Sequence, residues 1–140
     1  MTGIELAASV IAVIDMSARV SSLCFQYYTN VGNARDDIAR LRKQADGLMA
    51  IVKHLQPLLD GPNGAKFETS QNLRDALDDC LSQLAELEKK LDPGKARKAM
   101  RRIGIRALKW PFKSNEVEII VKSLGRCMDA ISLGLQVDQM

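Results

Sequence analysis

Over most of this chain, apolar residues recur at alternating steps of three and four positions, the spacing that keeps side chains on one face of an α-helix. Between residues 33 and 59 the series is Ile38, Leu41, Ala45, Leu48, Val52, Leu55 and Leu59. Between 69 and 91 it is Leu73, Leu77, Cys80, Leu84, Leu87 and Leu91, and between 115 and 138 it is Val117, Val121, Leu124, Met128, Ile131 and Leu135. Each series is a heptad seam and predicts a long helix lying beside others at a small crossing angle. Pro57 predicts a kink in its helix, Asp60-Gly61-Pro62-Asn63-Gly64 a turn, Asp92-Pro93-Gly94 a stop, and Asn115 with Glu118 a capping box. No stretch has the alternation of a strand.

The first predicted helix, over residues 3 to 29, has a different pattern. Ile4, Leu6, Val10, Ile11, Val13, Ile14, Val20 and Phe25 spread over a wide arc, leaving a narrower polar strip of Glu5, Ser9, Asp15, Arg19, Ser22 and Gln26. So wide a face predicts a helix near the centre of a bundle, begun by a capping box of Thr2 and Glu5. Between Gly94 and Pro111, Ala96, Met100, Ile103 and Ala107 stand at helical spacing among basic residues and predict a short amphipathic helix. The expected architecture is all-α: a helical bundle of four long helices plus one short basic helix, forming a single domain over residues 1 to 140.

Composition supports this reading and adds one asymmetry. With 140 residues and 46% apolar content, the chain has enough material for one continuous core. Net charge is only +3, yet residues 95 to 113 hold Lys95, Arg97, Lys98, Arg101, Arg102, Arg106, Lys109 and Lys113 with no acid, leaving the remainder at −5. A charge run is commonly a solvated face. Near an anionic leaflet, however, each lysine or arginine contributes about 1 kcal/mol of attraction. Trp110 and Phe112, flanked by Lys109 and Lys113, suit an interface where rings enter the acyl layer and ammonium groups stay in water. Nucleic acid is the weaker partner for this charge, because one short basic helix carries no recognition-fold signature.

Catalytic patterns are missing from the sequence. His54 is the single histidine and stands among polar neighbours; there is no Cys-x-x-Cys, Gly-x-Ser-x-Gly or phosphate-cradling glycine loop, and the acid pairs Asp36-Asp37 and Asp78-Asp79 read as solvated charge. Cys24, Cys80 and Cys127 are odd in number, far apart and set within apolar stripes, so neither a disulfide framework nor a metal site is expected, as suits a reducing compartment. The reading is of a non-enzyme without cofactor, soluble at rest.

The N-terminal apolar run is preceded by Glu5 rather than by a basic region and is not read as a secretory signal. Its nine residues rise roughly 14 Å against a hydrocarbon core of about 30 Å. Residues 4 to 23 reach far enough to span, but Asp15 and Arg19 each cost about 2.5–3.5 kcal/mol at mid-membrane, which disfavours a lone span. In an oligomer, Glu5, Asp15 and Arg19 share one strip and can face a wet lumen, with Asp15 and Arg19 four apart and able to pair.

Four segments carry a family likeness: Thr2-Gly3-Ile4-Glu5-Leu6-Ala7-Ala8-Ser9-Val10-Ile11, Leu23-Cys24-Phe25-Gln26-Tyr27, Leu59-Asp60-Gly61-Pro62-Asn63-Gly64 and Ala107-Leu108-Lys109-Trp110-Pro111-Phe112. Together they resemble the HeLo-like N-terminal domain of fungal NOD-like (STAND) receptors, over nearly the whole chain. The resemblance implies a cell-death effector domain placed before a NACHT module, cytoplasmic until activation, then self-associating and recruited to anionic lipid of the plasma membrane. It implies membrane entry by the first helix, which maps onto Ile4, Leu6, Val10, Ile11, Val13 and Ile14. Some members carry a glycine-rich zipper in that helix; here only Gly3 stands there, with Ala7, Ala8 and Ala12 as other small residues. The alternative is a helical adaptor or autoinhibitory domain that contacts only other proteins.

Overall fold

The computed structural model describes residues 3–30, 34–60, 71–92 and 110–139, with side chains described over 6–29, 34–59, 71–92 and 110–134. They form four helices: α1 (Gly3–Asn30), α2 (Arg35–Asp60), α3 (Gln71–Leu91) and α4 (Ser114–Gln139). No strand occurs among the described residues. The capping box at Thr2 and Glu5, the turn after Asp60, the basic helix and Leu135 as a packed side chain lie outside what is described.

The three seams are buried as their spacing predicts. Ile38, Leu41, Ala45, Leu48, Val52 and Leu55 of α2, and Leu73, Leu77, Cys80, Leu84, Leu87 and Leu91 of α3, all enter one core. On α4, Val117, Leu124 and Ile131 are buried with Cys127, while Val121 and Met128 pack at the edge. Charges favour these helix ends, with Asp36 and Asp37 in the first turn of α2 and Lys89 and Lys90 in the last turn of α3. The α2 helix continues through Pro57 to Asp60.

Named contacts set the arrangement. Tyr28 and Phe25 on α1 meet Arg35 and Arg42 on α2, so these two helices run antiparallel. Ser114, Glu118 and Val121 on α4 bond Asp37, Arg40 and Gln44 on α2, making that pair parallel. Gly134 lies against Leu73 and Cys127 against Gln83, so α3 and α4 are antiparallel. The Tyr27 hydroxyl donates to the Leu91 carbonyl at 2.7 Å, joining the C-terminal ends of α1 and α3 and satisfying a carbonyl that the helix leaves unpaired. The ring order is therefore α1, α2, α4, α3, with α1 diagonal to α4 and packed chiefly on two neighbours.

Three sequence expectations are corrected here. The α1 helix is a corner of the ring, not its centre, and buries one heptad row: Leu6, Val10, Val13, Ser17, Val20, Cys24 and Tyr27. Ser17 interrupts that row with a polar residue, and the apolar residues outside it widen the arc, so the seam was not evident by hydropathy. The capping box of Asn115 and Glu118 does not form. Instead the Glu116 carboxylate accepts from the Lys113 backbone N–H at 3.0 Å, and Glu118 pairs with Arg40 and Lys122. Arg19 pairs with Glu88 of α3 at 2.9 Å rather than with Asp15.

Candidate membrane-facing surface

The apolar arc of α1 divides into two rows that do different things. Of the residues expected to enter a membrane, Leu6, Val10 and Val13 are sealed in the core, Ile14 is half-buried, and Ile11 is 51% exposed. Ile4 and Glu5 fall outside the described side chains. A second row with the same three-and-four spacing runs through Ala7, Ile11, Ile14, Ala18, Ser21, Phe25 and Tyr28, beside the buried row on the side toward α2. Ile11, Phe25 and Tyr28 are large apolar side chains left exposed in it.

Arginines of α2 edge this row. The Arg42 guanidinium sits 4.9 Å from the Phe25 ring centre and its Nε donates to Ser21 Oγ at 3.4 Å, while Arg35 lies 5.4 Å from the Tyr28 ring. Such contacts hold rings at a water-exposed position by attraction between cation and ring face. Asp15 is exposed, and Arg19 reaches to Glu88 on the opposite flank, so the polar strip and the outer apolar row occupy different sides of one helix. The stretch Leu6–Thr29 is long and apolar enough to cross a bilayer, with mean hydropathy 1.5, and a third of it is buried within the fold. A core helix of a water-soluble protein has the same composition.

Trp110 and Phe112 occupy the other candidate region. Trp110 packs edge-on to Tyr27 with ring centres 5.3 Å apart and to Phe112 at 5.4 Å, and Phe112 is buried. In this fold the three rings close the end of the core at the C-termini of α1 and α3, where Tyr27 also holds Leu91. Lys113 is exposed at the start of α4. Lys95, Arg97, Lys98, Arg101, Arg102, Arg106 and Lys109 lie outside the described residues. His54 is exposed, and no cluster of potential metal ligands occurs among the described residues.

Cys24, Cys80 and Cys127 are free and buried. Burial pushes the Cys24 thiol up to about 12, with Arg42 opposing the rise. The Cys127 thiol meets Gln83 and Asp79 of α3, a contact that only the antiparallel packing of α3 with α4 creates. No known protein family, curated protein or solved structure matches the chain.

Proposed function

We propose that this chain is a cell-death-type effector domain that self-associates and acts on anionic membrane, cytoplasmic at rest and drawn to the plasma membrane on activation. The observation that carries the reading is the outer row of α1, where Ile11, Phe25 and Tyr28 remain exposed on a helix whose adjacent row already completes a core. An isolated exposed apolar residue is ordinary, but a heptad-spaced row of them on the most apolar helix marks a contact surface. The basic run of residues 95 to 113, read as a short basic helix, supplies attraction to lipid headgroups. Its partners in this reading are further copies of itself and anionic lipid, with a NACHT module following in the full receptor.

A second reading follows from the spacing of the same row. Residues placed at three-and-four steps suit a partner helix, as a helical adaptor or autoinhibitory domain would use.

Vesicle binding and dye release separate the two. The purified domain, with and without enforced clustering, is added to vesicles of neutral lipid alone and of neutral plus anionic lipid. The expected result is binding and leakage on anionic vesicles, weakened by salt. Changing Arg101, Arg102 and Arg106 to glutamate should lower partitioning by roughly a hundredfold or more, from about 1 kcal/mol for each charge. Ile11→Glu and Ala18→Glu, both at exposed positions, should reduce leakage while helicity is kept. A folded domain that neither binds nor leaks any vesicle, even when clustered, removes the membrane reading and leaves the adaptor.

A further inference from the structure

Five large apolar side chains stand exposed among the described residues, and the ring of helices sorts them onto two opposite sides. Ile11, Phe25 and Tyr28 lie on the α1–α2 side. Ile119 and Leu133 lie on the α3–α4 side, each lining a hollow between those helices. The two sides differ in charge. The hollow between α1 and α2 is lined by Tyr28, Arg42 and Lys43, with Arg35 over the Tyr28 ring and one acid, Asp46, 3.9 Å from Arg42. The hollow beside Leu133 is walled by Asp75, Asp79, Ala76 and Ala130, while one base, Arg126, is exposed a turn before Ala130. Beside Ile119, Glu86 and Lys90 offset each other.

We propose that these two sides are the halves of a head-to-tail contact, in which the α1–α2 side of one copy docks on the α3–α4 side of the next. The proposal rests on the self-association in the proposed function and names the surfaces that carry it. Neither side complements itself. Two α1–α2 sides would set Arg35, Arg42 and Lys43 against the same cations, and two α3–α4 sides would set Asp75 and Asp79 against the same carboxylates, a repulsion that suppresses wrong pairings. Joined unlike, the cations face the carboxylates, and the rings of Phe25 and Tyr28 meet the apolar surface around Leu133. Aromatic residues and arginine are the types that anchor contacts between proteins. Because the surfaces lie on opposite sides of the ring, each docking leaves one of each kind free, and the contact adds further copies rather than stopping at a dimer.

Carbodiimide coupling, which joins an amine to a carboxylate already in contact, tests this on the unaltered chain, both in solution and on vesicles of neutral plus anionic lipid. Lys43 is on α2, and Asp75 and Asp79 are on α3, helices diagonal in the ring, so a link between them forms only between copies. The expected result is a ladder of dimer, trimer and larger species, weakened by salt, with Lys43 joined to Asp75 or Asp79. In sedimentation, Lys43→Glu and Asp75→Lys, both at exposed positions, should each weaken association by roughly tenfold or more. An equal mixture of the two variants should recover it, because the two reversed charges then face one another. A chain that stays monomeric in both settings, a ladder that ends at the dimer, or links confined to other surfaces overturns the proposal, as does a mixture of folded variants that fails to recover. Should a variant lose its helicity, the linkage map of the unaltered chain decides alone. Leakage from anionic vesicles without the ladder removes this contact and leaves the membrane reading, whereas head-to-tail links without vesicle binding remove the membrane reading and leave the contact.

Discussion

Ala34 holds a φ of 62° at the residue whose carbonyl accepts the first hydrogen bond of α2, from Ile38 N at 2.9 Å. A left-handed conformation costs an L-residue with a Cβ about 1–2 kcal/mol, and glycine avoids it. Ala34→Gly should therefore raise stability by about 1 kcal/mol in urea unfolding, less whatever its partly buried methyl contributes to the core. Ser17 is a second residue at odds with its surroundings, since its Oγ is fully buried in the α1 seam without a hydrogen-bond partner. Ser17→Ala should raise the urea midpoint, by an amount corresponding to about 1–3 kcal/mol. Tyr27 is the opposite case. Its hydroxyl is satisfied by the Leu91 carbonyl, so Tyr27→Phe should lower stability by about 1 kcal/mol while the ring contact with Trp110 persists, visible as unchanged tryptophan emission.

Between elements, the α2–α4 contact is where polar groups choose the register. Gln44 Nε2 donates to the Val121 carbonyl at 2.8 Å, and Gly125 makes room for that amide: a Cβ at 125 would stand 3.3 Å from Nε2. A Cβ at 47 would stand an ordinary 3.6 Å from Met128 Sδ. Gly47→Ala should thus stabilise by about 1 kcal/mol through helix propensity, while Gly125→Ala should gain little because it displaces the amide. Thermal unfolding of the two variants checks the contrast. Glu118 is held below its ordinary 4.5 by the hydrogen bond and charge of Arg40, with Lys122 adding to it. A lowered carboxylate contributes stability above its unfolded value and loses it as pH falls through the folded one. Arg40→Met should return the Glu118 carboxyl titration, followed by NMR, upward toward the ordinary glutamate range.

For the molecule as a whole, α1 cannot leave the ring without exposing a row of the core. Leu6, Val10, Val13 and Val20 are each at most 1% exposed. At about 1.5–3 kcal/mol for each side chain, their release costs on the order of 6–12 kcal/mol, comparable to a domain's total of about 5–15 kcal/mol. Membrane action by α1 therefore requires that lipid or other copies cover the vacated row as it opens. Removing residues 1 to 14 deletes three of the four and should abolish the cooperative thermal transition followed by circular dichroism. For the same reason, loss of cell killing on this truncation has meaning only beside that measurement.

Periodicity along the chain determined that this protein is helical and which side of α2, α3 and α4 is buried, since a 3.6-residue repeat projects each apolar series onto one stripe. The helix ends followed to within about two residues, because proline, glycine and charge act locally. What a stripe does not specify is its neighbour. The diagonal placement of α1 and α4, the pairing of Glu118 with Arg40 on α2, and the meeting of Cys127 with Gln83 all depend on contacts between residues distant in sequence. The same holds for the surface on α1. Hydropathy reads Leu6 and Ile11 alike, and only the ring of helices decided that Leu6 is sealed and Ile11 faces outward, because burial depends on which side of a helix its neighbours occupy.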